Sequence, residues 1–233
     1  MKLTAVPRIA RMGFERLPAQ ELPRHQHAEA YATIVLGGAY EQFSYAGRLR
    51  LQAGDVLIQP TFDCHFDQML SDRVDLIRLP WHLDQSSGGI YRNCAIELIE
   101  CAARRDVRQA SALLEEALVA HRCIPACVHD WPDVLAADLA ANPRLRIRAW
   151  SEAMRLTREH VCRGFRATYG TGPTQFRSEL SARAAWSRII STTESMSRIA
   201  ANLGFADQAH MSRAVKTLTG RAPSQWRNQF FDA

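Results

Sequence analysis

Two kinds of side chain in this 233-residue sequence could act on something outside the protein. The first are nitrogen and sulfur ligands. His121, Cys123, Cys127 and His129 place four zinc-type groups within nine residues. Structural zinc sites use pairs such as Cys-x2-Cys or His-x3-His, which let one turn present both ligands. The spacing here differs and Pro125 interrupts it. The stretch from His121 to Asp130 therefore reads as a flexible interdomain tether that carries thiols, redox-sensitive where exposed. Another imidazole pair, His-x-His at 25 and 27, lies near the start, with His65 further on. The second kind are guanidinium groups. Arg163 and Arg213 each stand on the polar side of an amphipathic stretch, where a helix could present them to a guanine edge.

The element that must position Arg213 is a helix-turn-helix within Ser195 to Arg227. Met196, Ile199, Ala200 and Leu203 recur at three and four residues, the stripe of a short buried-face helix. Gly204 closes that helix in a left-handed turn, and Asp207 can cap the next one. In the second helix Met211, Val215 and Leu218 face the core with Ala214 beside them. The opposite side carries Ala209, Ser212, Arg213 and Lys216, with Gln208 and His210 in the first turn.

The same pattern occurs earlier. RGFRATYGTGPTQFR (163–177) lies over RAVKTLTGRAPSQWR (213–227) at an offset of 50, with Arg, Gly, Pro, Gln and Arg coinciding. His160 matches His210, and Phe176 pairs with Trp226. Upstream the offset drops to 49, pairing Ile147 with Met196, Trp150 with Ile199 and Met154 with Leu203. Self-similarity at such a period marks a duplicated supersecondary unit. In the first copy Thr157 is the N-cap, Leu156 can staple onto Val161, and Val161, Phe165 and Thr168 face inward. Glu159, Cys162, Arg163 and Arg166 face out.

Two tandem helix-turn-helices joined by one helix, here Pro173 to about Ser191, resemble the AraC-type transcription regulators. The tail GFADQAHMSRAVKTLTGRAPSQWR carries that resemblance most specifically, and it extends from about Asp130 to the C-terminus. It implies that the two recognition helices enter successive major-groove segments of one DNA face. Carried over by position, the base readers are Glu159, Cys162 and Arg163 in the first unit and Gln208, Ala209, His210 and Arg213 in the second. Thr157, Arg166, Ser212 and Lys216 complete the DNA-facing set. Val215 stands where the family has phenylalanine, at some loss of packing. Arg155 occupies the turn position of Gly204, a backbone strain of about 1 kcal/mol.

Charge agrees with this division. Residues 126–233 hold 15 Lys and Arg against 9 Asp and Glu, whereas residues 1–125 hold 14 against 15. The basic half is the one that would meet phosphates. MKLTAVPRIARMGFERLP lacks the apolar core of a leader, and no apolar run reaches about 18 residues, so a cytoplasmic protein is expected. The six cysteines read as reduced thiols.

From His25 to about Leu79 short runs of Val, Ile, Leu, Tyr and Phe are broken by glycine, giving antiparallel strands with turns at Gly37-Gly38, Ala46-Gly47 and Ala53-Gly54. Strands at this spacing suggest a small barrel or double-sheet roll. His25 with His27, and the stretch Gly54 to His65, resemble the two half-motifs of a cupin. That resemblance implies a jelly roll whose His25, His27 and His65 converge on a divalent metal or an effector. The family's glutamate is missing, since Tyr31 or Ala32 stands there, and Phe62 replaces an expected glycine. His25, His27, Tyr31, Cys64 and His65 are expected to border the open mouth of the barrel, where a small molecule sits. Helices are expected over Ile90 to Arg104 and Val107 to His121, the second with an inner stripe of Leu113, Leu114, Leu118 and Val119. They either pair two subunits or cover the roll.

The reading is a two-domain α+β chain: residues 1–124 a cupin-like β-barrel with following helices, residues 125–233 an all-α double helix-turn-helix. Its units lie at about 145–170 and 195–220, joined by a linker helix at about 173–191. The expected function is a transcription regulator that binds promoter DNA sequence-specifically under control of a small-molecule effector, with no catalytic residues. RNA polymerase is a candidate partner, a homodimer a candidate assembly, and no membrane contact is expected. Two rivals remain: a metal-dependent cupin enzyme with a DNA-binding tail, and a metal or redox sensor working through the 121–129 cluster.

Overall fold

A computed structural model describes residues 11–83, 88–92, 94–119, 121, 123–124 and 128–231. Contacts divide the described chain into two bodies, 11–128 and 129–231. The break falls at Val128/His129, a little beyond the position read from the sequence. Ile124 explains the difference: its N–H donates to the Ile90 carbonyl at 2.7 Å, which ties the start of the expected tether to the first body. At the other end His129 N–H donates to Asp133. Cys127 lies outside the described residues.

The first body is a roll of two antiparallel sheets, with strands β1 (Gly13–Pro18), β2 (Glu21–His25), β3 (Tyr31–Gly37), β4 (Ala39–Ser44), β5 (Gly47–Gln52), β6 (Val56–Gln59), β7 (His65–Met69), β8 (Arg73–Pro80) and β9 (Gly89–Tyr91). One sheet has the order β1-β8-β3-β6-β9 and the other β2-β7-β4-β5. Strands β1 and β2 precede the region where strands were expected. Their sequence GFERLP and ELPRH contains proline and little β-branching, so only pairing with β8 and β7 makes them strands.

The β3 sheet is apolar on both faces. Val35, Leu57, Val74 and Leu76 pack toward Tyr40, Leu49, Leu51 and Met69 of the other sheet. Ala32, Ile34, Val56, Ile58, Ile77 and Leu79 pack on the opposite side under helices α1 (Ile96–Ala103) and α2 (Val107–Leu118). This double burial is why the strands read as unbroken apolar runs. Helix α1 starts at Ile96, not at Ile90, because Ile90 and Tyr91 pair with β6. The first two residues of the expected helix thus belong to a strand. In α2 the buried stripe is Ala110, Ser111, Leu114 and Leu118; Val119 is 82% exposed. Both helices cover the roll.

The second body contains α3 (Trp131–Ala141), α4 (Ile147–Ala153), α5 (Arg158–Tyr169), α6 (Pro173–Ser191), α7 (Met196–Asn202), α8 (Gln208–Thr219) and α9 (Pro223–Phe231). The duplication is visible as two matched series, α4-α5-α6 and α7-α8-α9. No helix among the described residues is long and apolar enough to cross a membrane.

Around α5, Phe165, Tyr169 and Phe176 form an aromatic triangle with centroids 4.7–5.3 Å apart. Tyr169, rather than the expected Thr168, is the fully buried residue of this turn, because its hydroxyl donates to Asp133 of α3 at 2.9 Å. Gly164 stands within the same helix for a steric reason: a Cβ there would lie 2.5 Å from Cζ2 of Trp131.

Arg155 has φ +55°, the left-handed conformation that Gly204 adopts at φ +77° in the second copy. Replacing Arg155 by glycine should raise stability by about 1 kcal/mol in urea denaturation. Gly164→Ala should instead lower it by about 1–3 kcal/mol, since overpacking against Trp131 outweighs the gain in helix propensity.

Candidate functional site

Each recognition helix begins with a cap drawn from its own sequence. Thr157 Oγ1 accepts from His160 N–H at 3.2 Å, and Asp207 Oδ1 accepts from His210 N–H at 2.6 Å. Ser195 does the same for α7. The apolar faces of α5 and α8 are buried through Val161 and Phe165, and through Met211, Val215 and Leu218. That burial fixes which side remains outside. Thr157, Glu159, Arg163 and Arg166 are exposed, and Cys162 is half-buried. On the second helix Gln208, Ala209, His210, Arg213 and Lys216 are exposed and Ser212 is half-buried. His210 is held: its ring meets Phe205 edge-on at 5.3 Å.

The repeated arginines split into two roles. Arg163 and Arg213 face solvent. Arg177 Nη1 instead donates to the Leu145 carbonyl at 2.8 Å, and Arg227 Nη1 to the Glu194 carbonyl at 2.6 Å. Those carbonyls lie just ahead of α4 and α7, so each arginine clasps the third helix of a unit to the entry of its first. Phe176 and Trp226 are likewise structural. Trp226 packs edge-on to Trp186 and donates to Thr219 at 2.8 Å.

In the roll, β2 and β7 pair so that His25 stands directly opposite His65. The ring centroids of His25, His27 and His65 lie 4.3–5.5 Å apart, and Tyr31 is 4.9 Å from His27. One nitrogen from each histidine falls within 4.8 Å of the others. The Nδ1 atoms of His25 and His65 lie 3.0 Å from the carbonyls of Pro23 and Asp63. A proton on each Nδ1 would make Nε2 the ligand or acceptor atom. Burial, reinforced by the other two imidazoles, lowers the His65 pKa well below its ordinary value. Cys64 is buried nearby and donates its thiol to Gln26.

The cluster is not at an open mouth. None of the five expected residues exceeds 8% exposure. The segment Thr61 to Cys64 closes over them, with Phe62 N–H donating to the His27 carbonyl at 2.9 Å. Phe62 takes φ +55°, the left-handed conformation for which the half-motif uses glycine.

Five further polar residues, Gln42, Gln59, Asp63, Asp67 and Arg78, join this end of the roll. Gln42 donates to Gln59 at 2.6 Å across the two sheets, and Gln59 donates to Asp63 at 2.9 Å. Asp67 Oδ2 lies 3.8 Å from His65 Nε2. Burial pushes its carboxyl up to about 7, against the opposing pull of Arg78. Arg78 in turn lies over the Tyr31 ring at 5.8 Å and pairs with Glu15. Asp67 could have been found from strand alternation, because it is two residues beyond His65 and so shares its face. Nothing local marks Gln42, Gln59 or Arg78, which arrive from other strands.

Residues 150–229 match the family model described as a helix-turn-helix domain. This segment is an AraC-type DNA-binding domain. The chain thus carries a helix-turn-helix domain of the DNA-binding kind in its C-terminal half. A comparison with curated proteins finds no match. Among solved structures the chain is similar to unsaturated fatty acid bound ToxT from Vibrio cholerae strain SCE256, at 11% identity over 95% of each chain and a TM-score of 0.44. Its C-terminal part is similar to the C-terminal domain of AraT, a response regulator from Geobacillus stearothermophilus, at 17% identity, covering 45% of this chain and 88% of that one, with a TM-score of 0.42. A probable AraC family transcriptional regulator from Rhodopseudomonas palustris CGA009 is also similar, at 17% identity over 41% and 92% of the two chains, with a TM-score of 0.38.

The split among the repeated arginines of this AraC-type domain is testable. Arg227→Ala should cost about 1.5–3 kcal/mol in denaturant unfolding, the value of a charged hydrogen bond to a part-buried carbonyl. Arg213→Ala, on a solvated face, should stay within about 0.5 kcal/mol of the parent.

Proposed function

We infer that this protein is a one-component transcription regulator that reads double-stranded promoter DNA with two recognition helices and answers to a small polar effector. The observation that carries the reading is the equivalent, exposed placement of Arg163 and Arg213 on α5 and α8, each with a buried opposite face and a capped N-terminus. Arg163 and Arg213 contact guanine in successive major-groove segments, each worth about 1–3 kcal/mol of discrimination. Glu159, Cys162, Gln208, Ala209 and His210 read neighbouring base edges. Thr157, Arg166, Ser212 and Lys216 border the same surface and hold backbone phosphates. Residues 1–124 form the sensor and 125–233 the DNA-binding part, acting in the cytoplasm, with RNA polymerase and a second copy of the chain as the protein partners.

The polar end of the roll supports the effector half of this reading. A buried polar group without a partner is costly. Among the described residues, Asp67 Oδ1 and Arg78 Nε are buried without a hydrogen-bond partner. An effector with both donor and acceptor groups would satisfy them, with His25, His27, His65, Tyr31 and Cys64 around it. The three histidines also fit a divalent metal through neutral imidazole nitrogens. A bound ion would supply a Lewis-acidic anchor for an effector oxygen. Effector binding alters DNA binding to the extent that it favours one state of the regulator over another.

Selection from a random DNA pool at fixed salt should yield one shared motif with the parent protein, and Arg213→Ala should lose preference at one or two positions of it. Recovery of an unchanged motif by the alanine variant would remove the base-reader assignment. Metal analysis of protein loaded with zinc should show about one ion per chain, lost in His27→Ala, if the imidazoles act as ligands.

A further inference from the structure

A cleft of about 370 Å³ opens within the DNA-binding body, lined by Pro143 and Arg144, by Thr174, Arg177, Ser178 and Ser181 of α6, by Leu203, Gly204 and Phe205 of the second turn, and by His210. Its lining holds two guanidinium groups, one imidazole and three hydroxyls. No carboxylate lines it. Of the acids near it in sequence, Glu179 is buried and accepts from Gln175, and Asp207 turns its Oδ1 to the His210 N–H of its own helix.

Both arginines are held by one nitrogen and keep others to spend. Arg144 Nη2 donates to the Ala201 carbonyl at 2.9 Å, while its Cγ would lie 3.3 Å from a Cβ at Gly204. Arg177 Nη1 donates to the Leu145 carbonyl at 2.8 Å. A guanidinium has five N–H donors, so each retains several. Among the described residues neither arginine has an acidic partner, and the hydroxyls of Thr174, Ser178 and Ser181 have no hydrogen-bond partner. A site that is cationic, rich in donors and poor in acceptors is complementary to a tetrahedral oxyanion.

We propose that this cleft binds a phosphate group, and that the phosphate is one of the DNA backbone running between the segments read by α5 and α8. Its position favours that source. His210 belongs both to the cleft and to the exposed first turn of α8, and Arg144 joins the entry of the first helix-turn-helix to the turn of the second. The positive end of the α8 dipole lies on the same side. The proposal rests on the DNA-binding reading above and adds to it a contact that carries no sequence information.

The test measures DNA affinity of the full chain against salt, using the motif selected by the parent. Arg144→Gln should weaken binding about tenfold at low salt and reduce the slope of log affinity against log salt by about 1, leaving the selected motif unchanged. Ser178→Asp places a carboxylate in the cleft without touching either arginine contact. It should leave the melting temperature unchanged or raised and lower affinity and slope in the same way. Retention of the parental slope by both variants overturns the proposal, even where Arg213→Ala shows that base reading is correct. Failure of the parent to select any motif would instead sink the DNA-binding reading itself. Melting with inorganic phosphate against chloride at matched ionic strength separates the sources. Stabilisation lost in Ser178→Asp, with the DNA slope unaffected, would assign the cleft to a free anion and overturn the backbone contact.

Discussion

Two hydrogen bonds from arginine to a main-chain carbonyl hold the DNA-binding body in register. Arg177 reaches Leu145 and Arg227 reaches Glu194, and in each case the bond closes a three-helix unit on itself. The carbonyls belong to residues just ahead of a helix, where no intrahelical donor is available to them. A charged donor there satisfies a group that would otherwise need water. With the ends of each unit joined, the recognition helix between them has one place to lie, and its outward arginine points in one direction. The outward placement of both exposed arginines depends on that closure.

The two copies are nevertheless supported differently. The first leans on α3: Trp131 fills the space left by Gly164, Asp133 accepts from Tyr169, and Asp138 accepts from the Trp150 indole at 2.7 Å. The second leans on α6, where Trp186 meets Trp226. Helix α3 begins at Trp131, and its Asp133 also accepts from His129 N–H. A single carboxylate therefore touches both the entry to the domain and the recognition helix α5.

The roll divides its interior between two kinds of burial. One end is a plain apolar core of Val35, Leu49, Leu51, Leu57, Val74 and Leu76. The other gathers three imidazoles, two carboxylates, three amides, a phenol and a guanidinium, most of them buried. Such an end contributes little to folding by itself, because each polar group must recover what it loses in leaving water. The apolar end and the helices packed on the β3 sheet carry stability.

Much of the DNA-binding half was legible residue by residue. Caps at Thr157 and Asp207, glycine turns, three-and-four spacing and a 50-residue repeat are local signals, and local backbone preference is what they report. Even the strain at Arg155 and the left-handed turn at Phe62 could be anticipated from the positions they occupy. What escaped was set by contacts between distant segments. Strands β1, β2 and β9 exist because β8, β7 and β6 pair with them, and Tyr169 is inside because Asp133 waits for its hydroxyl. Asp67, Arg78, Gln42 and Gln59 meet the histidines only when two sheets close face to face. A sequence declares the periodicity of each element; which polar groups share a buried space, and which pair of repeated arginines turns inward, depends on packing that no single element contains.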